Sequence, residues 1–145
     1  MLIGTLASVV LVCTTILVHY EFLRRAQTMT EHSRLRPRLR IVVMLLGAFL
    51  AHTIEVYVYA VAYVVLDWLV PAAGFSGFSE GNFEGHIADY VYFSAATYTS
   101  LGYGDIVPLG PLRLLAGTEA LNGLVLIAWT ASVTYLMMER YWRRD

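Results

Sequence analysis

The sequence predicts an all-α membrane protein, with three transmembrane helices and one short re-entrant helix between the second and the third. Three observations lead there. Of the 145 residues, 58% are hydrophobic and only 14% charged, with a mean hydropathy of +0.60, a balance that excludes a disordered or nucleic-acid-binding chain. All ten basic residues are arginine and nine of them fall in two stretches, 24–40 and 140–144, the segregated charge of membrane topology. Three long apolar runs alternate with those stretches and with a glycine-rich loop. The one cysteine, Cys13, lies inside an apolar run, so neither a disulfide framework nor a multi-cysteine metal site is available.

Residues 1–23 form the N-terminal transmembrane helix. At ~1.5 Å per residue, Leu2 to Leu23 crosses a hydrocarbon core of ~30 Å, and no basic segment precedes it as a cleaved secretory signal would require. Residues 24–40 are a basic cytoplasmic linker, with Arg24, Arg25, Arg34, Arg36, Arg38 and Arg40 against Glu31. The last four alternate by two in a polar segment. That spacing excludes a voltage-sensing helix, which carries a basic residue at every third position of an apolar span, and suits anionic headgroups.

The second span, 41–69, is longer than a perpendicular crossing needs and so is tilted or protrudes, with Pro37 placed for the first turn of its helix. Pro71 ends it. The external loop 70–85 holds Gly74, Gly77, Gly81, Glu80 and Glu84 and no basic residue. Residues 86–98 are apolar but too short to span, which predicts the re-entrant element. The third span, 112–138, runs into Arg140, Tyr141, Trp142, Arg143 and Arg144, an aromatic and basic border typical of a cytoplasmic interface. Positive-inside reasoning puts the N-terminus outside and the C-terminus in the cytoplasm of a plasma (inner) membrane. Neither an internal repeat nor a second domain is visible.

Between the short helix and the last span stands Thr97-Tyr98-Thr99-Ser100-Leu101-Gly102-Tyr103-Gly104-Asp105. This resembles the T-x-T-T-x-G-Y-G-D signature of the potassium channel superfamily, of bacterial type. Residues 41–145 resemble its two-helix pore domain, with one extra N-terminal span. The resemblance implies an outer helix 41–69, a pore helix 86–98, a selectivity filter 99–105 and an inner helix 112–138. A dehydrated cation needs a ring of oxygens, and backbone carbonyls of Ser100, Leu101, Gly102, Tyr103 and Gly104 supply them if the chain turns them inward. Gly102 and Gly104 permit the backbone angles this requires, and the Ser100 hydroxyl adds an oxygen at the inner end. Thr97, Thr99 and Asp105 support the segment, and Tyr92 and Phe93 are placed to pack against Tyr103. The C-terminal end of the short helix, negative by its dipole, aims at the cavity below.

Ser100 and Leu101 stand where the family usually has Thr and Val or Ile, and Ala96 where some relatives carry a glutamate behind the filter. These departures keep a weakly selective cation channel open beside a K⁺-selective one. One chain brings one filter segment and a ring takes four, so the resemblance implies a homotetrameric pore. Its partners are then K⁺, the lipid bilayer and further copies of itself, with K⁺ in the filter as the only metal and no cofactor. A subunit of a K⁺ uptake system is disfavoured, because such chains carry four degenerate filter segments. A membrane enzyme is disfavoured too, as no nucleophile is evident.

Polar residues interrupt the spans. His52 and Glu55 lie one turn apart on the second, and Glu119 and Asn122 one turn apart on the third. Such groups are costly in a bilayer and face protein or water. At similar depth they are expected to meet across the helix interface as a hydrogen-bonded clamp, a protonation-sensitive gate, or a metal site of His52, Glu55 and Glu119. Gly123 is either a hinge of the inner helix or a close-packing position.

Overall fold

The computed structural model describes residues 2–31, 36–78 and 83–142. Arg34, Glu80, Gly81, Arg143 and Arg144, which entered the topology argument, lie outside the described residues. Four helices and a small ribbon make up the described residues: α1 (Leu2–Glu31), α2 (Pro37–Leu69), β1 (Gly74–Ser76), α3 (Phe83–Tyr98), β2 (Val107–Leu109) and α4 (Leu112–Trp142). Helices α1, α2 and α4 are each long and apolar enough to cross a membrane, and α3, at 16 residues, is not.

The helices outrun the apolar runs that predict them. α1 ends at Glu31 rather than residue 23, so about half of the expected linker belongs to it. Hydrocarbon thickness limits the apolar run, but nothing there breaks the helix. Arg24 and Arg25 both pair with Glu21, at 2.8 and 2.9 Å, along the helix surface. α2 starts four residues early at Pro37, whose missing N–H costs nothing in a first turn. α3 starts at Phe83 rather than residue 86, and α4 reaches Trp142 rather than residue 138. The β1–β2 ribbon was not anticipated. Its antiparallel register, Gly74↔Leu109, Phe75↔Pro108 and Ser76↔Val107, ties the loop after α2 to the segment before α4.

α2 and α4 run antiparallel, and paired side chains fix their register: His52 with Thr130, Tyr59 with Asn122, Tyr63 with Glu119. α1 runs parallel to α4, with Thr15 bonded to Asn122 and Gly4 against Pro111. α3 wedges between α2 and α4. The core it enters is aromatic: Tyr59, Tyr63, Tyr90, Phe93 and Tyr98 are buried, with Phe75 and Phe78 against them. A second cluster of Leu23, Met44, Ala48 and Met137 packs the other end of the three long helices. On α4, buried Leu112, Leu115, Glu119, Asn122, Leu126, Thr134 and Met137 mark one face. The opposite face, with Leu121, Leu124, Val125 and Tyr135, is exposed in the single chain.

Candidate functional site

The chain leaves α3 through a well-defined cap. Ser100 N–H donates to the Thr97 carbonyl at 2.9 Å and Leu101 N–H to the Ala96 carbonyl at 2.8 Å, the paired bonds of a Schellman ending. That ending puts its penultimate residue in the left-handed region, here Ser100 with φ 58°. Gly102 and Gly104 follow with φ 56° and 82°. Positive φ thus recurs at every second residue from 100 to 104. Such alternation turns every other peptide plane over, so carbonyls that would point to opposite sides of an ordinary strand turn toward one side. Among the described residues of the single chain, no neighbour lies within 4 Å of a Cβ built at Gly102 or Gly104, so what glycine supplies there within one chain is backbone angle.

Behind this segment, Tyr103 stacks on Tyr92 with centroids 6.1 Å apart and planes within 6°. The Tyr92 hydroxyl donates to Asp105 Oδ2 at 2.8 Å, which holds the phenol proton above the usual tyrosine range. Asp105, lacking a glutamate at position 96, thereby finds its partner on the pore-helix surface. Phe93 does not join this stack, contrary to expectation. One residue along a helix is a turn of about 100°, and Phe93 faces the core against Tyr63 and Phe75. The Thr99 hydroxyl bonds back to the Ala95 carbonyl at 2.8 Å. Leu101 and Tyr103 are 59% and 67% exposed in the single chain, so the segment lies on the molecule's surface.

The two intramembrane pairs do not meet. Tyr63, the α2 residue opposite Glu119, lies eleven residues from His52, or ~16 Å along the helix, so the expected contact between His52 and Glu119 and the metal set containing both are ruled out by register. Glu119 is fully buried and accepts from the Tyr63 hydroxyl and from the Ser94 hydroxyl, the latter at 2.6 Å. Asn122 donates to the Thr15 hydroxyl at 2.8 Å and to the Tyr59 hydroxyl at 3.2 Å. Both residues do clamp the inner helix, with α3 and α2 in one case and α1 and α2 in the other.

Glu55 belongs to a different cluster. His19 Nδ1 is 2.9 Å from Glu55 Oε1, the Tyr98 hydroxyl donates to Glu55 Oε2, and His52 Nδ1 lies 2.8 Å from the Tyr98 oxygen. Thr130 Oγ1 is 3.0 Å from Nε2 of both histidines. Sequence reasoning missed His19, Tyr98 and Thr130. Gly123 sits against the same end of α3, and a Cβ there would overlap the Tyr98 carbonyl. This favours close packing over a free hinge.

A family model described as "Ion channel" matches residues 40–140. The chain belongs to the ion channel family. The matched part of this ion channel begins just inside α2, so α1 and its His19 stand outside it. A 57-residue stretch is 39% identical to the inward rectifier potassium channel Kirbac3.1 of Paramagnetospirillum magnetotacticum, covering 39% of this chain and 19% of that protein. The match thus spans about a fifth of that relative's length. No solved structure matches. Family and relative together bear out the resemblance to a pore module of the potassium channel superfamily in an integral membrane protein.

Proposed function

We propose that the chain is the pore-forming subunit of a K⁺-selective channel, four copies of which bring residues 100–104 together around one axis for passive conduction. The observation that carries this reading is the alternation of positive φ at Ser100, Gly102 and Gly104. It gives a row of carbonyls one direction, and a row so directed replaces a cation's hydration shell. The potassium channel to which the chain is similar supports K⁺ as the ion. One chain brings one filter segment and a ring takes four, which supports assembly, and the exposed Leu101 and Tyr103 lie where neighbouring copies would meet. The sidedness read from the arginines puts the filter's Gly104 end outside.

Purified protein in a planar bilayer, with K⁺ on one side and Na⁺ on the other, tests this. The expected result is a reversal potential near that of K⁺ and block by Ba²⁺, which fits the same oxygen cages. Equal permeability to both ions would favour the weakly selective alternative that Ser100 and Leu101 suggest, and absence of current would overturn the channel reading. Cross-linking to a tetramer checks the assembly.

A further inference from the structure

We propose that His19, His52 and Glu55 form a buried binding site for a divalent transition metal of the Zn²⁺ class, separate from the K⁺ path. One ligand atom from each of the three lies within 4.8 Å of the others. His52 and Glu55 stand at i and i+3 on one face of α2, and His19 reaches them from α1. His19 Nδ1 and Glu55 Oε1 are 2.9 Å apart, and His52 Nδ1 and Glu55 Oε2 are 3.4 Å apart. Donors bound at ~2.0–2.1 Å around a tetrahedral ion lie a little over ~3 Å from one another, so each imidazole stands near ligand-pair distance from the carboxylate, though from different oxygens of it. The Tyr98 hydroxyl, 2.8 Å from His52 Nδ1, offers an oxygen as fourth ligand.

The far side of the imidazoles can serve the same occupant. Both Nε2 atoms converge on one hydroxyl oxygen, Thr130 Oγ1, at 3.0 Å each. A hydroxyl has one proton but two lone pairs, so it can donate to only one imidazole, whereas it can accept from two. With both Nε2–H groups donating to Thr130, both Nδ1 lone pairs turn toward the Glu55 carboxylate, and three electron-rich atoms then need a cation among them. This is the arrangement of a metal-ligating histidine whose other ring nitrogen is held by an outer partner. Two imidazoles and one carboxylate select Zn²⁺ and its neighbours over K⁺, Mg²⁺ or Ca²⁺, which prefer all-oxygen shells. His19 and Glu55 side chains have no exposure, while His52 keeps 19%, so entry runs past His52. Since Tyr98 leads directly into Thr99 and Ser100, an ion here would fasten α1 to the inner end of the filter segment.

The test uses full-length protein without a polyhistidine tag, stripped with chelator in detergent and titrated with Zn²⁺ and with Co²⁺. The expected result is one ion per chain, the strong visible bands of four-coordinate Co²⁺, and a melting temperature raised by Zn²⁺. His19→Gln and His52→Gln should abolish the bands. Thr130→Val, which keeps the shape and removes the outer partner, should weaken binding ~10–100-fold. Glu119→Gln, in the other cluster, should leave the Co²⁺ bands and the ion count unchanged, whatever it does to the melting temperature. No retained ion in the unmodified protein, or binding that survives both histidine substitutions, would mean the cluster holds protons only and overturn the proposal. K⁺ current recorded from the same preparation reports on the channel reading independently.

Discussion

Gly123→Ala separates a packing contact from a hinge. The added Cβ would stand 2.9 Å from the Tyr98 carbonyl carbon and 3.1 Å from its ring, and would overlap the carbonyl oxygen between them. Ordinary carbon contacts lie at ~3.5–4.0 Å, so α4 must back away from the end of α3 by more than half an ångström, and the atoms in its way are backbone. Overpacking of this kind costs ~1–3 kcal/mol, here toward the upper end. Alanine returns ~1 kcal/mol of helix propensity over glycine, leaving a net loss of ~2 kcal/mol. In a chain of this size that lowers the melting temperature by ~4–8 °C. Gly117→Ala is the control, because nothing lies within 4 Å of a Cβ there, and it should gain the propensity term alone. The assay is thermal unfolding in detergent with vesicle K⁺ flux beside it. A Gly123→Ala protein that melts and conducts like the parent would refute the argument that α4 presses on Tyr98.

Three other outcomes follow from the geometry. Gly102→Ala meets no steric obstacle among the described residues of its own chain, but a Cβ at positive φ costs ~1–2 kcal/mol; the expected loss is of K⁺ over Na⁺ preference, with assembly retained on cross-linking, and an unchanged reversal potential would count against the filter reading. Tyr63→Phe strips a donor from the buried Glu119 carboxylate and should cost ~1–3 kcal/mol, read as a lowered melting temperature that Tyr57→Phe, at an exposed position, does not reproduce. Tyr92→Phe should leave melting unchanged yet shorten the persistence of current, since only the Asp105 bond is lost. Because the Tyr92 phenol is shifted upward, that bond is fully present below the ordinary tyrosine range of ~10 and is lost as pH rises through the higher folded value, so the parent current should persist equally at pH 6 and 8.

Local sequence was enough for everything that depends on the period of a helix or on a single residue's backbone freedom. Apolar length alone marks three spans and a fourth helix too short to cross, because a bilayer imposes a thickness on any chain within it. Gly102 and Gly104 announce positive φ because few other residues adopt it readily. Helix ends were less legible: Arg24 and Arg25 close the hydrocarbon but not α1, since arginine is a good helix former. The polar clusters were legible as residues and not as partnerships. His52, Glu55, Glu119 and Asn122 stand out as polar groups in apolar spans, yet which meets which depends on the register of α2 against α4. That register is set by side chains such as Tyr59 and Tyr63 that look like ordinary core aromatics in the sequence. His19, at the end of the first apolar run, reads as a border residue until α1 packs on α2 and places it 2.9 Å from Glu55. Only tertiary structure could assign these contacts, because they join residues dozens of positions apart and nothing local distinguishes a buried hydroxyl or imidazole with a partner from one facing water.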